Sequence, residues 1–311
     1  MGRLEISDLR VLFPTDDGLV RPTNGVSLNI EDGENLGLIG ESGSGKTVLA
    51  MAILRLLPSD AMVEGKVWFN GRDLLSLKED EMRRVRGKEI VMILQNPTNS
   101  LNPALTVGSQ IEEVLRLHNG LDKQSARRRV VELLKKVKIR DAPRRAKDYP
   151  HQFSGGMKER AMIAMSLASD PRLIIADEPT KGLDVTVKRE ILRLLTEVTE
   201  KKSMIFITHD LASAAEICEK IAVIYAGELL EVARTEELMN DPLHPYSKGF
   251  LGALPSRGLE PIRGNGPSLI DLPTGCKFHP RCDYATEVCR KEHPPMVERE
   301  DGRQVRCFLY A

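Results

Sequence analysis

Gly40-Glu41-Ser42-Gly43-Ser44-Gly45-Lys46-Thr47 sets glycines, a lysine and a hydroxyl at the spacing G-x-x-x-x-G-K-[ST] without a mismatch. Residues of these types suit a polyphosphate. Gly40, Ser42, Gly43, Ser44 and Gly45 let backbone N–H groups wrap the phosphate oxygens. The following helix N-terminus adds partial positive charge. Lys46 would reach the outer phosphates of ATP, and the Thr47 hydroxyl would ligate Mg²⁺. The plain alternative is a glycine-rich turn with no ligand.

Two acids, Asp177 and Glu178, close the apolar run Leu173-Ile174-Ile175-Ala176. Ligands of a parallel α/β sheet bind at the carboxyl ends of its strands, which is where these acids fall. Asp177 would hold Mg²⁺ directly or through water, and Glu178 would orient or deprotonate an attacking water. The alternative is an acidic helix cap after a core strand. A second apolar run, Met204-Ile205-Phe206-Ile207-Thr208, ends in His209-Asp210, where an imidazole can hydrogen-bond a γ-phosphate. Gln95 ends another, Ile90-Val91-Met92-Ile93-Leu94, where its amide can meet Mg²⁺ or the attacking water. The second glycine motif, Phe153-Ser154-Gly155-Gly156-Met157, offers Ser154 as N-cap of an apolar helix and so a further anion site. By itself such a triplet is usually a turn.

These residues need strands and helices in a set order. Leu36-Gly37-Leu38-Ile39 reads as a buried strand, and Val48 to Leu54 as the helix after the phosphate loop. Residues 4 to about 33 alternate apolar runs with turn signals, which predicts an antiparallel hairpin region; a strand pair is expected around Gly65 to Gly71. Asp80 to Lys88 reads as a charged surface helix. Helical periodicity marks Ile111 to Leu115 and Val130 to Val137, and the basic run Lys123 to Arg129 reads as a solvated helix face. From Leu173 to Ile224 buried strands alternate with helices, the pattern of a parallel sheet. Beyond about Asp241 the periodicity fades, and a separate C-terminal unit is expected.

Composition narrows the partners. Lys+Arg and Asp+Glu each total 45, so the chain lacks the net basic charge of a general nucleic-acid binder. No apolar run reaches 18 residues, and Met1-Gly2-Arg3-Leu4-Glu5-Ile6 has no signal-peptide core, so a cytoplasmic protein is expected. Gly2 lacks the partner residue of a myristoylation signal, because position 6 is Ile6.

Four of the five cysteines fall late, with Cys276, Cys282, Cys289 and Cys307 spaced C-x₅-C-x₆-C-x₁₇-C. No C-x₂-C pair occurs, which counts against common zinc knuckles. Four thiolates would suit a [4Fe–4S] cluster whose negative charge Lys277, Arg281 and Arg290 would offset. Zinc, with His279 as a substitute ligand, and free thiols are the alternatives. Cys218, in Ala214-Ala215-Glu216-Ile217-Cys218, reads as core.

The motif set resembles the nucleotide-binding subunit of an ABC transporter: residues 40–47, Gln95, Ser154-Gly155-Gly156, residues 173–178, Asp184 and His209 stand in that family's order. Phe13 falls where the family's adenine-stacking aromatic sits. The resemblance implies an α/β fold with a P-loop NTPase (RecA-like) core, an antiparallel β subdomain, an inserted helical subdomain over about 96–165 and a small Cys-rich C-terminal extension. The cassette would span 1–240 and the extension 241–311. It also implies that Ser154-Gly155-Gly156 and Asp184 serve the ATP on a second subunit, so two ATP molecules are sandwiched head to tail.

The resemblance narrows to the oligopeptide/dipeptide/nickel importer branch through Gln95-Asn96-Pro97-Thr98-Asn99-Ser100-Leu101-Asn102-Pro103, Tyr149 to Met157, and His244-Pro245-Tyr246. The branch's Gly275-Cys276-x-Phe278-x-x-Arg281-Cys282 points to iron–sulfur as well. Leu74 to Leu77 and Arg86 to Ile90 look like the first of two unlike ATPases, hence a heterodimer. Implied partners are two transmembrane permease subunits, whose coupling helix would meet the region near 96–120, and an extracytoplasmic solute-binding protein through them. No nucleic acid is expected. The location implied is peripheral, on the cytoplasmic face of the cell membrane. Met157 is usual in this branch. Lys181-Gly182 departs from the small residues common before Asp184, and leaves Asp177, Glu178 and His209 intact, so an active site is expected. The competing reading is a soluble non-transport ABC ATPase acting on nucleic acid or in an enzyme complex.

Overall fold

The computed structural model describes residues 3–96 and 100–311, so the Pro97-Thr98-Asn99 part of the branch motif lies outside the described residues. The chain divides into two compact units, one of residues 3–76 with 206–311 and the other of residues 77–205.

In the first unit, β1 (Leu4–Thr15) and β2 (Gly18–Ile30) form the antiparallel hairpin that the turn signals predict, with Leu4 opposite Ile30. Leu4 and Ile6 face the core, and then the phase changes to Leu9 and Val11. A bulge between Ile6 and Leu9 makes the change, with Asp8 at φ 46. The extra residue returns the apolar side chains to the same face. β3 is Asn35–Ile39, and every residue of it is buried. β4 (Met62–Phe69) and β5 (Arg72–Asp73) complete a four-stranded sheet in the order β2-β1-β4-β5.

The second unit carries β6 (Ile90–Ile93) parallel to β7 (Leu173–Asp177), Ile90 beside Leu173. Its helices are amphipathic and capped. Thr106 caps Val107–Asn119 by accepting from the Ser109 N–H, and Gly120 ends that helix at φ 67. Asp122 caps Lys123–Lys136, which buries Ala126, Val130, Leu133 and Leu134 at helical spacing. Its basic residues stand on the outer face, Arg127 paired with Glu112 and Arg129 with Glu132, so the basic run is a solvated helix face. The charged segment near 80 forms Glu79–Val85 and stops before Lys88.

β8 (Ser203–Thr208) begins in this second unit and ends in the first, where β9 (Lys220–Tyr225) runs parallel to β3. β10 (Glu228–Arg234) returns antiparallel to β9. The C-terminal residues add to it: β11 (Val297–Glu298) pairs with β12 (Gln304–Val305), and β12 pairs with β10 through Glu231 and Val305. Glu231, fully buried, accepts from the backbone N–H groups of Leu243 and His244 at 2.8 and 2.9 Å. A buried carboxylate thus pins the start of the extension, the arrangement a buried charge requires. Cys218 is buried at the end of helix Leu211–Ile217, as expected of a core thiol, and burial raises its pKa.

Candidate functional site

The phosphate loop lies between β3 and the helix Lys46–Ile53. Gly45 stands before the helix at φ 101, with no side-chain cap. A Cβ at Gly45 would run into the Pro22 carbonyl, and one at Gly40 into the Ile224 carbonyl. Both positions therefore admit only glycine. Lys46 is 7% exposed; its Nζ donates to the carbonyls of Gly40 and Glu41 at 2.8 Å each and to Ser44 Oγ at 3.4 Å. The ammonium is held over the loop by its own carbonyls, with the Thr47 side chain exposed beside it. A cation fixed at the start of a helix beside a glycine-rich loop fits a phosphate chain.

Phe13 lies half-buried in the β1–β2 hairpin opposite Val20. His209 is exposed just past β8, and Asp210 caps the next helix by accepting from Ala212 and Ser213 N–H.

In the other unit, Asp177 ends β7 at 2% exposure and Glu178 follows at 9%. Glu178 has φ 50, a left-handed backbone that non-glycine residues adopt at a cost. The acids are not helix caps. The next helix, Val185–Thr199, is capped by Asp184, whose Oδ1 accepts from Thr186 and Val187 N–H at 3.1 and 3.0 Å. Gln95 is exposed two residues beyond β6.

Ser154 caps the helix Gly155–Leu167, its Oγ accepting from Met157 N–H at 3.4 Å. The two glycines after it differ. A Cβ on Gly156 would come within 2.6 Å of Val187 Cγ1, whereas one on Gly155 would meet nothing nearer than Leu183 Cδ2 at 3.8 Å. Packing within the unit requires glycine at 156 and leaves 155 an open, exposed surface. Deeper in this helix, Glu159 is 2% exposed, its Oε1 has no hydrogen-bond partner among the described residues, and burial pushes its carboxyl pKa up to about 8.

The expected [4Fe–4S] cluster is not supported. Among the described residues no group of three or more His, Cys, Asp or Glu side chains is placed to hold a metal ion. The four late cysteines line an apolar cavity of about 120 Å³, and burial raises the pKa of Cys276, Cys282 and Cys307. The cations expected to offset a cluster are engaged elsewhere: Lys277 donates to the Pro273 carbonyl, Arg290 faces Glu287, and Arg281 donates to Glu41 Oε2 at 2.9 Å. This pairing of Glu41 with Arg281 at the phosphate loop was not singled out by the motif reading. Position 41 is a wildcard in the phosphate-loop pattern, so only the pairing reveals it.

Comparison with known proteins agrees with this assembly of motifs. Residues 23–181 match the family described as ABC transporter, and residues 230–289 match the C-terminal region of oligopeptide/dipeptide transporters. The chain belongs to the ABC transporter family, in its oligopeptide/dipeptide branch. The oligopeptide transport ATP-binding protein OppD of Salmonella typhimurium is 46% identical over 98% of this chain and 93% of its own length. The OppD protein of Bacillus subtilis is 43% identical over 98% of this chain and 88% of its own. Among solved structures, a dimeric post-hydrolysis state of the ATP-binding cassette MJ0796 bound to ADP and Pi superposes with a TM-score of 0.67. It is 29% identical and covers 75% of this chain and 98% of that one. The chain is thus an ABC transport ATPase with the α/β cassette fold.

Proposed function

We propose that this ABC cassette binds and hydrolyses ATP to energise peptide import through a membrane permease. The observation that carries the reading is the Lys46 ammonium held by the Gly40 and Glu41 carbonyls of the phosphate loop, in a chain similar to proteins named oligopeptide transport ATP-binding proteins.

The phosphate loop binds the phosphate chain through its N–H groups and Lys46, and Phe13 stacks on the adenine. Thr47, Asp177 and Gln95 offer a hydroxyl, a carboxylate and an amide oxygen, the hard donors that suit Mg²⁺. When bound, Mg²⁺ supplies positive charge that neutralises the β- and γ-oxygens. Glu178 orients the attacking water and takes its proton as the water oxygen bonds to the γ-phosphorus; the bond to the β–γ bridging oxygen breaks, leaving ADP and phosphate. His209 hydrogen-bonds the γ-phosphate.

The open face at Ser154-Gly155, with Gly156 and Asp184 behind it, supports a role toward a nucleotide carried by a second ATPase subunit, which we take to be an unlike partner. Two permease subunits, and through them an extracytoplasmic solute-binding protein, complete the proposed assembly, without nucleic acid. No helix among the described residues is long and apolar enough to cross a membrane. Peripheral attachment at the cytoplasmic face is therefore part of the proposal. So is a division into a cassette over 1–240, with a helical subdomain near 96–165, and an extension over 241–311.

Glu178→Gln tests the chemistry: ATP binding persists, while steady-state phosphate release falls about 10²–10⁴-fold. Release at the wild-type rate would remove Glu178 from the role of general base.

A further inference from the structure

We propose that Arg281, far along the chain in the extension, is a positioning residue for the nucleotide site, acting through Glu41 of the phosphate loop. The proposal rests on the phosphate loop being the ATP site.

Glu41 is held at three atoms. Its carbonyl accepts from Lys46 Nζ at 2.8 Å, its backbone N–H donates to the Tyr246 hydroxyl at 3.1 Å, and its Oε2 accepts from Arg281 Nη1 at 2.9 Å. Two of the three contacts come from beyond residue 241. The Arg281 side chain is 7% exposed, and Glu41 is 31% exposed. Charge pairs that are largely removed from water, with their remaining donors satisfied, hold geometry better than exposed pairs. Further bonds hold the guanidinium: Arg281 Nε donates to the Arg263 carbonyl at 2.8 Å, and Nη1 also reaches the Tyr225 hydroxyl at 3.3 Å. The guanidinium lies 5.6 Å from the Tyr225 ring centre and 5.9 Å from that of Phe278. Tyr225, Tyr246 and Phe278 pack edge to face or tilted, with centroids 4.7 to 5.4 Å apart, which makes a rigid seat for the cation.

The consequence follows from the shared residue. The carbonyl that fixes Lys46 belongs to the residue whose side chain Arg281 grips. Releasing Glu41 lets that carbonyl turn and loosens the ammonium, which then keeps the Gly40 carbonyl and Ser44 Oγ. A phosphate chain then meets a cradle that must be ordered on binding, and affinity falls by the cost of ordering. Glu178 is untouched, so turnover at saturating ATP stays within about twofold, the signature of lost ground-state binding.

The test measures binding of N-methylanthraniloyl-ATP with Mg²⁺, and ATPase KM and kcat, on the full chain. Arg281→Ala and Glu41→Gln should each weaken binding and raise KM about tenfold, the usual scale of coupling between linked sites. The double variant should also be about tenfold weaker, because both changes break one link. Arg281→Lys should recover part of the loss. Wild-type affinity in Arg281→Ala, or effects that multiply in the double variant, would overturn the proposal. Glu41→Gln leaves the extension intact, so loss of the extension's fold in Arg281→Ala cannot imitate this pattern. Lys46→Ala serves as the separate control: wild-type nucleotide binding by that variant would refute the phosphate-loop reading itself.

Discussion

Replacing Glu159 with glutamine should stabilise the protein, and the gain should grow with pH. Glu159 sits in helix Gly155–Leu167 at 2% exposure, with a carboxyl pKa pushed by burial from 4.5 to about 8. Between those two values the folded chain keeps the proton that the unfolded chain releases. The native state then binds more protons than the unfolded state, so stability falls as pH rises through this window. Each pH unit costs about 1.4 kcal/mol. The loss therefore reaches about 3 kcal/mol at pH 7 and about 5 kcal/mol above pH 8, and vanishes below the ordinary carboxyl range. Glutamine keeps the shape of the protonated acid and carries no charge at any pH, so it escapes the loss. Urea unfolding of both proteins at pH 5, 6, 7 and 8 gives the difference directly. It should be small at pH 5 and climb steadily to about 3 kcal/mol or more by neutrality. A difference independent of pH would refute the reasoning, because it would mean that Glu159 is ionised or neutral alike in both states.

Two further outcomes follow from the glycine positions. Gly156→Ala should destabilise by about 1–3 kcal/mol in chemical unfolding, since its methyl would press on Val187 at 2.6 Å. Adding Val187→Ala should restore much of that loss, and a failure to do so would place the clash elsewhere. Gly45→Ala, at φ 101 and against the Pro22 carbonyl, should abolish nucleotide binding in equilibrium titration, and retained binding would show that the loop tolerates another path.

Much of the fold was legible because its signals are local. Apolar runs of strand length named β3, β6, β7 and β8, and a capping residue named the helix start at Ser154; the Asp122 cap came only from the structure. Helix periodicity also separated the buried face of Lys123–Lys136 from its basic face. Asp184 shows a limit of that reading: the family resemblance implied a role toward a nucleotide, and the structure shows the side chain capping a helix, a role that the motif reading does not give. The cysteine tail shows another. Spacing suggested a shared cluster, yet no metal-holding group forms among the described residues, and Lys277, Arg281 and Arg290 all have other partners.

The sequence by itself determined the chemistry of the phosphate loop, the acids after β7 and the family to which they belong. Those rest on residue type at short spacing, where backbone geometry leaves few alternatives. Only the tertiary structure decided that Glu41 meets Arg281, a partner 240 residues away, and that Glu159 Oε1 is enclosed without a hydrogen-bond partner among the described residues. The Glu41–Arg281 pairing depends on how the extension packs within its own unit, and no local pattern encodes which distant charge will lie beside a given wildcard position.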